Sequence, residues 1–287
     1  MTLTGGVPMI HIITDSTSDI TQAQAAKEDF IVVPLHNLFG EEEYLDGVTI
    51  STEEFYQRLV TTEDLPTTSQ PSPEEFLTHF NRCKEEGSSA VVITISSKLS
   101  GTFQSAGIAK EMCEYDEIYL VDSLTATLGL NCLVQYAKIL RERGLSAREI
   151  AKELEEKKHK IRVFALVDTL KYLKKGGRLS ASAALAGTLL HIKPIIEVKD
   201  GIVEVAAKSR GLQGAYKKMM ELTEEANGID REFPYTIGYT GDVNSTLNFE
   251  TYTKECLKIQ DITKIAIGST IGVHAGPGAC GIAFFSR

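Results

Sequence analysis

No run of about 18 apolar residues occurs anywhere in the 287-residue chain, so the sequence carries no transmembrane helix. Cysteine is scarce as well: five residues, at 83, 113, 132, 256 and 280, an odd number with no C-x-x-C pair. That spacing excludes a disulfide framework, a dithiol redox centre and half of a zinc site, and the thiols read as reduced, mostly buried small side chains. Positive charge is in deficit, with Lys+Arg 30 against Asp+Glu 39 and a net charge of -9, so a nucleic-acid partner would meet repulsion and is excluded. The start lacks a basic segment followed by an apolar one, which points to a cytoplasmic protein, and residues 1–8, ahead of a second Met, read as a leader outside the fold. Several catalytic signatures are missing too: no G-x-x-x-x-G-K-[ST], no H-E-x-x-H, no G-x-S-x-G and no kinase set. Neither a metal nor a cofactor is expected.

What remains is ordinary globular composition, 43% hydrophobic and 24% charged, in a length that suits roughly two domains. The first half repeats one unit three times: a short apolar strand, a Ser/Thr/Asp cluster, then an amphipathic helix. The clusters are Thr14 to Asp19, Ser96 to Thr102 and Asp122 to Thr125. Strands alternating with helices of this length predict crossovers onto a parallel sheet, an N-terminal α/β domain of three layers. Between the first two units, Ile31 to Leu38 and Glu43 to Ile50 predict strands, helices are expected at Thr52 to Thr61 and from Ser72-Pro73-Glu74-Glu75 onward, and Pro66 to Pro71 reads as turn.

Past residue 160 the pattern changes. Strands are expected at 161–166, 195–198, 202–206, 236–239, 264–271 and 281–285, with helices at 180–190, 211–227 and 245–258. Asp200-Gly201 is a two-residue hairpin signal. This half reads as an α+β domain with a mixed sheet, giving domains at 9–160 and 161–287.

In an open parallel sheet, ligands bind beyond the carboxyl ends of the strands, where all three hydroxyl-rich clusters fall. Ser100-Gly101-Thr102 offers hydroxyl and backbone donors to an anion at a helix start; capping by Ser96, Ser97 and Ser100 is the plainer alternative. Lys171 to Ser180 is the most basic stretch, and its double glycine delivers Arg178 toward a helix expected from Ser180. Arginine there opposes the helix dipole unless an anion intervenes, so Arg178 is an anion-site candidate, with the lysines as an exposed steering patch. Val273 to Gly281 formally matches a dinucleotide fingerprint, but only six residues follow it, too few for the helix such a fingerprint opens. It reads instead as a glycine-bent turn that exposes His274, a hydrogen-bond partner for a carboxylate. Asp15 and Asp122 end strands and more often hold their own turns than metals.

The set Thr14-Asp15-Ser16-Thr17-Ser18-Asp19, Thr68-Ser69-Gln70-Pro71-Ser72-Pro73, Ser96-Ser97 with Ser100-Gly101-Thr102, Val121-Asp122-Ser123, Lys175-Gly176-Gly177-Arg178 and His274-Ala275-Gly276-Pro277-Gly278, in this order, resembles the DegV family. That family includes the fatty-acid-binding, FakB-type subunits of bacterial fatty acid kinase. The resemblance spans Met9 to Arg287; Thr21, where many relatives have proline, is a minor departure. It implies a DegV-like fold with one long-chain fatty acid buried between the domains. Its carboxylate contacts would be Thr68, Ser100 and His274, with Arg178 close by. Ser69, Ser97, Gly101, Thr102, Ser123, Gly177, Ala275 and Gly276 would support them.

By that resemblance the protein is not itself an enzyme. It would be the lipid-binding subunit, without an ATP site, that presents the carboxylate to a separate ATP-dependent kinase for conversion to acyl phosphate in phospholipid metabolism. A transient contact with the membrane surface is compatible with that role. Burying about 14 methylenes at roughly 0.8 kcal/mol each is worth on the order of 11 kcal/mol before association costs, so apolar walls set affinity and polar contacts set orientation. The small-residue stretch Leu179 to Leu190 is a candidate wall or a close helix-to-sheet contact. Two alternatives stay open: a lipid or ester hydrolase using Ser100 with His274, and a regulatory lipid-sensing interaction protein using the Lys171 to Arg178 patch.

Overall fold

The computed structural model describes residues 9–180 and 192–287. From the N-terminal side the chain forms β1 (Ile10–Asp15), α1 (Gln22–Glu28), β2 (Phe30–Val33), β3 (His36–Phe39), β4 (Glu42–Leu45), α2 (Thr52–Leu59), β5 (Thr67–Ser69), α3 (Pro73–Glu86), β6 (Ser89–Thr94), α4 (Thr102–Cys113), β7 (Ile118–Asp122), α5 (Leu128–Glu142) and α6 (Ala147–Lys157). Strands β2-β1-β6-β7 make a parallel sheet in that order, and β4-β3-β5 a small antiparallel one. Local chemistry sets the boundaries: Ser72 and Glu75 exchange both bonds of a capping box before Pro73, and Ser146 and Glu149 do the same for α6.

Three expectations in this half are corrected. The strand expected from Ile31 to Leu38 is two strands in different sheets, β2 ending before Pro34 and β3 opening at His36, because proline cannot donate to a continuing ladder. The strand expected from Glu43 to Ile50 stops at Leu45, where Asp46 and Gly47 (φ +69°) turn the chain. The turn expected at Pro66 to Pro71 contains β5, which pairs with β3 and sets Thr68 opposite Asn37. That pairing is non-local and has no signature in the segment itself.

The second half contributes β8 (Ile161–Leu166), α7 (Lys171–Lys175), β9 (Ile192–Lys199), β10 (Ile202–Arg210), α8 (Gly211–Glu225), β11 (Thr236–Tyr239), α9 (Leu247–Leu257), β12 (Thr263–Ala266), α10 (Ser269–Ala275) and β13 (Cys280–Phe285). Its six-stranded sheet runs β10-β9-β8-β13-β11-β12 and is mixed, parallel only between β11 and β12. Asp200 (φ +48°) and Gly201 (φ +84°) form the expected hairpin between β9 and β10. The strand expected from Lys264 to Ile271 ends at Ala266; Gly268 intervenes and Ser269 starts a helix. The helix expected over 180–190, with its small-residue wall, lies almost wholly outside the described residues.

The fold is thus α/β in two domains, stacked in layers. Helices α3 and α4 cover one face of the parallel sheet through Phe76, Phe80, Ala106 and Ala109. Helices α5 and α6 cover the other, and the same core cluster continues into Val163, Val198 and Phe285 of the mixed sheet. Helices α8 and α9 close that sheet's far face with Tyr216, Met219 and Phe249. The layers meet tightly at Gly129, where a Cβ would lie 2.7 Å from Val163 Cγ2. Among the described residues no helix is long and apolar enough to cross a membrane.

Candidate ligand-binding site

Strand β8 lies between two buried layers, so its side chains alternate between two apolar environments. Phe164 and Leu166 join the α8 side, while Val163, Ala165 and Val167 face an apolar cavity at the junction of the two domains. Ile196 and Val198 of β9 and Val203 of β10 continue that wall, and Ile95, Leu99 and Leu128 approach from the first domain.

One end of the cavity is polar. Thr68, Ser100, Arg178 and His274 all line it, together with Ser69, Gln70 and Ala275. Register with β3 places Thr68, whose Oγ1 lies 3.0 Å from His274 Nε2 in the last turn of α10. The expectation of an exposed His274 on a turn is corrected: it is helical and largely enclosed. Burial, reinforced by the Arg178 charge, lowers its pKa to about 4, so the ring is neutral at pH 7. Its Nδ1 is buried without a hydrogen-bond partner among the described residues and faces the Gly176 backbone, where a Cβ would come within 2.2 Å. A proton on Nδ1 would be an unsatisfied buried donor, so the favoured tautomer carries it on Nε2. Nε2–H then donates to Thr68, which leaves the threonine's own hydroxyl hydrogen free for a ligand.

Arg178 follows Gly177 (φ +69°) and spans two turns, its Nε donating to Leu99 O at 3.1 Å and its Nη1 to Gly176 O at 2.7 Å. Both acceptors are carbonyls, so the guanidinium keeps its full charge beside the cavity. Ser100 Oγ sits 2.8 Å from Thr102 Oγ1, an arrangement that orients the serine hydroxyl from a fully buried neighbour.

The remaining supporting candidates do not line the cavity. Ser97 donates to Asp122 through both its amide and its hydroxyl, on the exposed side of the turn. Ser123 is buried and donates to Thr125 O. Gly101 and Gly276 allow close approach: a Cβ would lie 2.6 Å from Gln70 Nε2 at the first and 2.3 Å from the Tyr172 ring at the second. Gly177 supplies a left-handed backbone and meets nothing. As expected of strand-ending acids, Asp15 accepts from Thr17 and Ile95, and Asp122 from Ser97 and Leu124. Sequence reasoning missed Gln70, Thr127 and Thr270 as lining residues; the period of two along β8 was the readable signal for the apolar wall. Among the described residues no group of three His, Cys, Asp or Glu could hold a metal ion.

Fold and site together define a two-domain α/β protein with an apolar cavity whose polar end presents hydroxyl, imidazole and guanidinium groups. The chain belongs to the DegV family: residues 9–287 match the model described as "Uncharacterised protein, DegV family". A DegV domain-containing protein of Clostridium perfringens is 35% identical over 277 residues, 95% of this chain and 97% of its own. A solved DegV family protein from Thermus thermophilus, described for its fatty acid binding, matches with a TM-score of 0.88 at 33% identity, over 97% of this chain and all (100%) of its own. A stearic acid-binding protein from Eubacterium ventriosum matches at 0.85 and 31% identity, over 96% and 97% of the two chains.

Proposed function

We propose that this protein binds one long-chain fatty acid between its domains, 9–160 and 161–287, and presents the carboxylate to a separate ATP-dependent kinase for conversion to acyl phosphate. The observation that carries the reading is one cavity that brings Thr68, Ser100, Arg178 and His274 together against a lining that is otherwise mostly aliphatic. Thr68 and Ser100 donate hydroxyl hydrogens to the carboxylate and Arg178 supplies the positive charge. Neutral His274 orients Thr68 through Nε2–H. The acyl chain displaces water from the walls and dominates the affinity.

The hydrolase alternative has no support in the geometry. Ser100 is bonded to Thr102 while His274 is bonded to Thr68, and among the described residues no acid sits on His274 Nδ1 to orient it as a base. Exposed Lys171, Lys174 and Lys175, which form no ion pair among the described residues, suit an acidic surface such as a kinase partner or, transiently, an anionic membrane. The reading places the protein in the cytoplasm and gives it no ATP site of its own.

The test is organic extraction of the purified protein followed by mass spectrometry, then incubation with ATP and the kinase subunit of a bacterial fatty acid kinase. The expected result is one fatty acid per chain, converted to acyl phosphate only when the kinase is added. A chain that carries none and takes up none when offered ends the binding reading; a bound acid left unmodified ends the presentation step.

A further inference from the structure

Gly268, the residue before α10, has no side chain to cap that helix. The capping groups come from far away in sequence. Asp46, on the turn after β4, accepts from Ser269 N at 3.0 Å and Ser269 Oγ at 2.5 Å through Oδ1, and from Thr270 N at 3.3 Å through Oδ2. Asp19 accepts from Gly268 N at 2.8 Å through one oxygen and from Thr127 Oγ1 at 2.5 Å through the other. Asn37 closes the set, donating to Ser269 Oγ at 2.8 Å. The fit is close at Gly268, where a Cβ would lie 3.1 Å from Asp46 Oδ1 and 3.4 Å from Asp19 Oδ1.

The two carboxylates are 8% and 4% exposed, for Asp19 and Asp46 respectively. The ionisable groups facing them are Asp15 and the Tyr56 phenol, and neither carboxylate is ion-paired to a Lys, Arg or His among the described residues. Such burial without a cation is unfavourable for stability, and an apolar pair would serve packing better. What the acids supply is direction, because each oxygen is aimed at a specific donor.

Those donors belong to the cavity walls. Thr127, held by Asp19, lines the cavity beside Ala126 and Leu128, with a φ of +50° that a β-branched residue rarely adopts. Ile267, Thr270 and Ile271, on both sides of the clamped amides, line it from the other domain. Helix α10 then carries the clamp's position about 7.5 Å along its axis to His274.

We propose that Asp19 and Asp46 are positioning residues for the lipid site, holding two cavity walls in register and setting the position of His274. The proposal rests on the reading of Thr68 and His274 as the carboxylate end. The full chain carrying Asp46→Asn or the milder Ser269→Ala is titrated with palmitate and with 1-hexadecanol, and the His274 ring nitrogens are followed by 15N NMR without ligand. Expected is a loss of about tenfold in palmitate affinity for Asp46→Asn and a smaller one for Ser269→Ala, with hexadecanol affected less than palmitate and the His274 ring signals shifted in both. Unshifted ring signals with unchanged palmitate affinity overturn the proposal. So does an equal loss for acid and alcohol, which would mark a purely structural role. If Asp46→Asn does not fold, Ser269→Ala decides. If wild-type protein takes up no palmitate, the proposed function fails while unshifted or shifted ring signals still decide the positioning role.

Discussion

The two ends of α10 lie six residues apart in opposite electrostatic surroundings. At its start two buried carboxylates, Asp19 and Asp46, accept from backbone amides with no ion pair to either among the described residues; at its end His274 stands beside Arg178. Burial acts alike on Asp19 and His274, disfavouring the charged form. Asp19 rises to about 8 through burial, against the hydrogen bonds from Thr127 and Gly268 that lower it and with a smaller push from Asp46 and Asp15, while His274 falls to about 4 through burial and the Arg178 charge. At neutral pH the His274 ring is therefore uncharged, and the polar end of the cavity keeps its positive charge on Arg178. On the proposed reading, a carboxylate at the polar end of the cavity would meet one fixed cation with neutral donors around it.

The sharpest way to break the comparison is to damage the His274 end alone. Gly176 has an ordinary helical backbone, so Gly176→Ala introduces no backbone strain, yet its Cβ would lie 2.2 Å from His274 Nδ1. The ring must leave Thr68, and affinity for a long-chain fatty acid should fall on the order of 100-fold, measured by titration, with α10 still clamped at its start.

The pH dependence of the ligand-free protein separates the two ends next. Asp19 has a folded value of about 8 above its ordinary 3.8, so its contribution to stability is complete below pH 3.8 and is lost as pH rises to about 8. Asp15, raised to about 6, acts in the same direction over a shorter span. His274 has a folded value of about 4 below its ordinary 6.5, so its contribution is complete above pH 6.5 and is lost as pH falls to about 4. Thermal melts across pH 4 to 9 should show Asp19→Asn flattening the alkaline loss and His274→Gln the acid loss, each by up to about 1.4 kcal/mol per pH unit. Equal pH profiles for both variants and wild type would show that these groups are not buried as described.

A finer probe is Thr68→Val, which keeps the shape and removes the hydroxyl. Affinity for a free fatty acid should fall about tenfold, while binding of the matching alcohol changes less, since on the proposed reading the threonine donates to a charged acceptor. The same loss for both ligands would place Thr68 in packing rather than recognition.

Much of the parallel domain is readable from local signals. Ser72 with Glu75, Ser146 with Glu149, and the hydroxyl clusters after β1, β6 and β7 each act within a few residues, and the helices begin where those signals stand. Asp200-Gly201 likewise carries its hairpin alone. The DegV family motifs are legible for the same reason, being short and in fixed order. The strand at Thr67–Ser69, the helix at Ser269–Ala275 and the clamp by Asp19 and Asp46 have no such local signature.

By itself, then, the sequence determined the elements whose caps and turns lie within about four residues of them, the α/β and mixed-sheet character of the two halves, and the family. Tertiary structure alone decided that Thr68 meets His274 across 206 positions, that Nδ1 of that histidine has no partner among the described residues, and that Asp46 caps a helix 223 positions away. The physical reason is range: capping and hairpin energies act over a turn of chain, whereas a binding site is assembled by packing between segments whose separation in sequence carries no information about their distance.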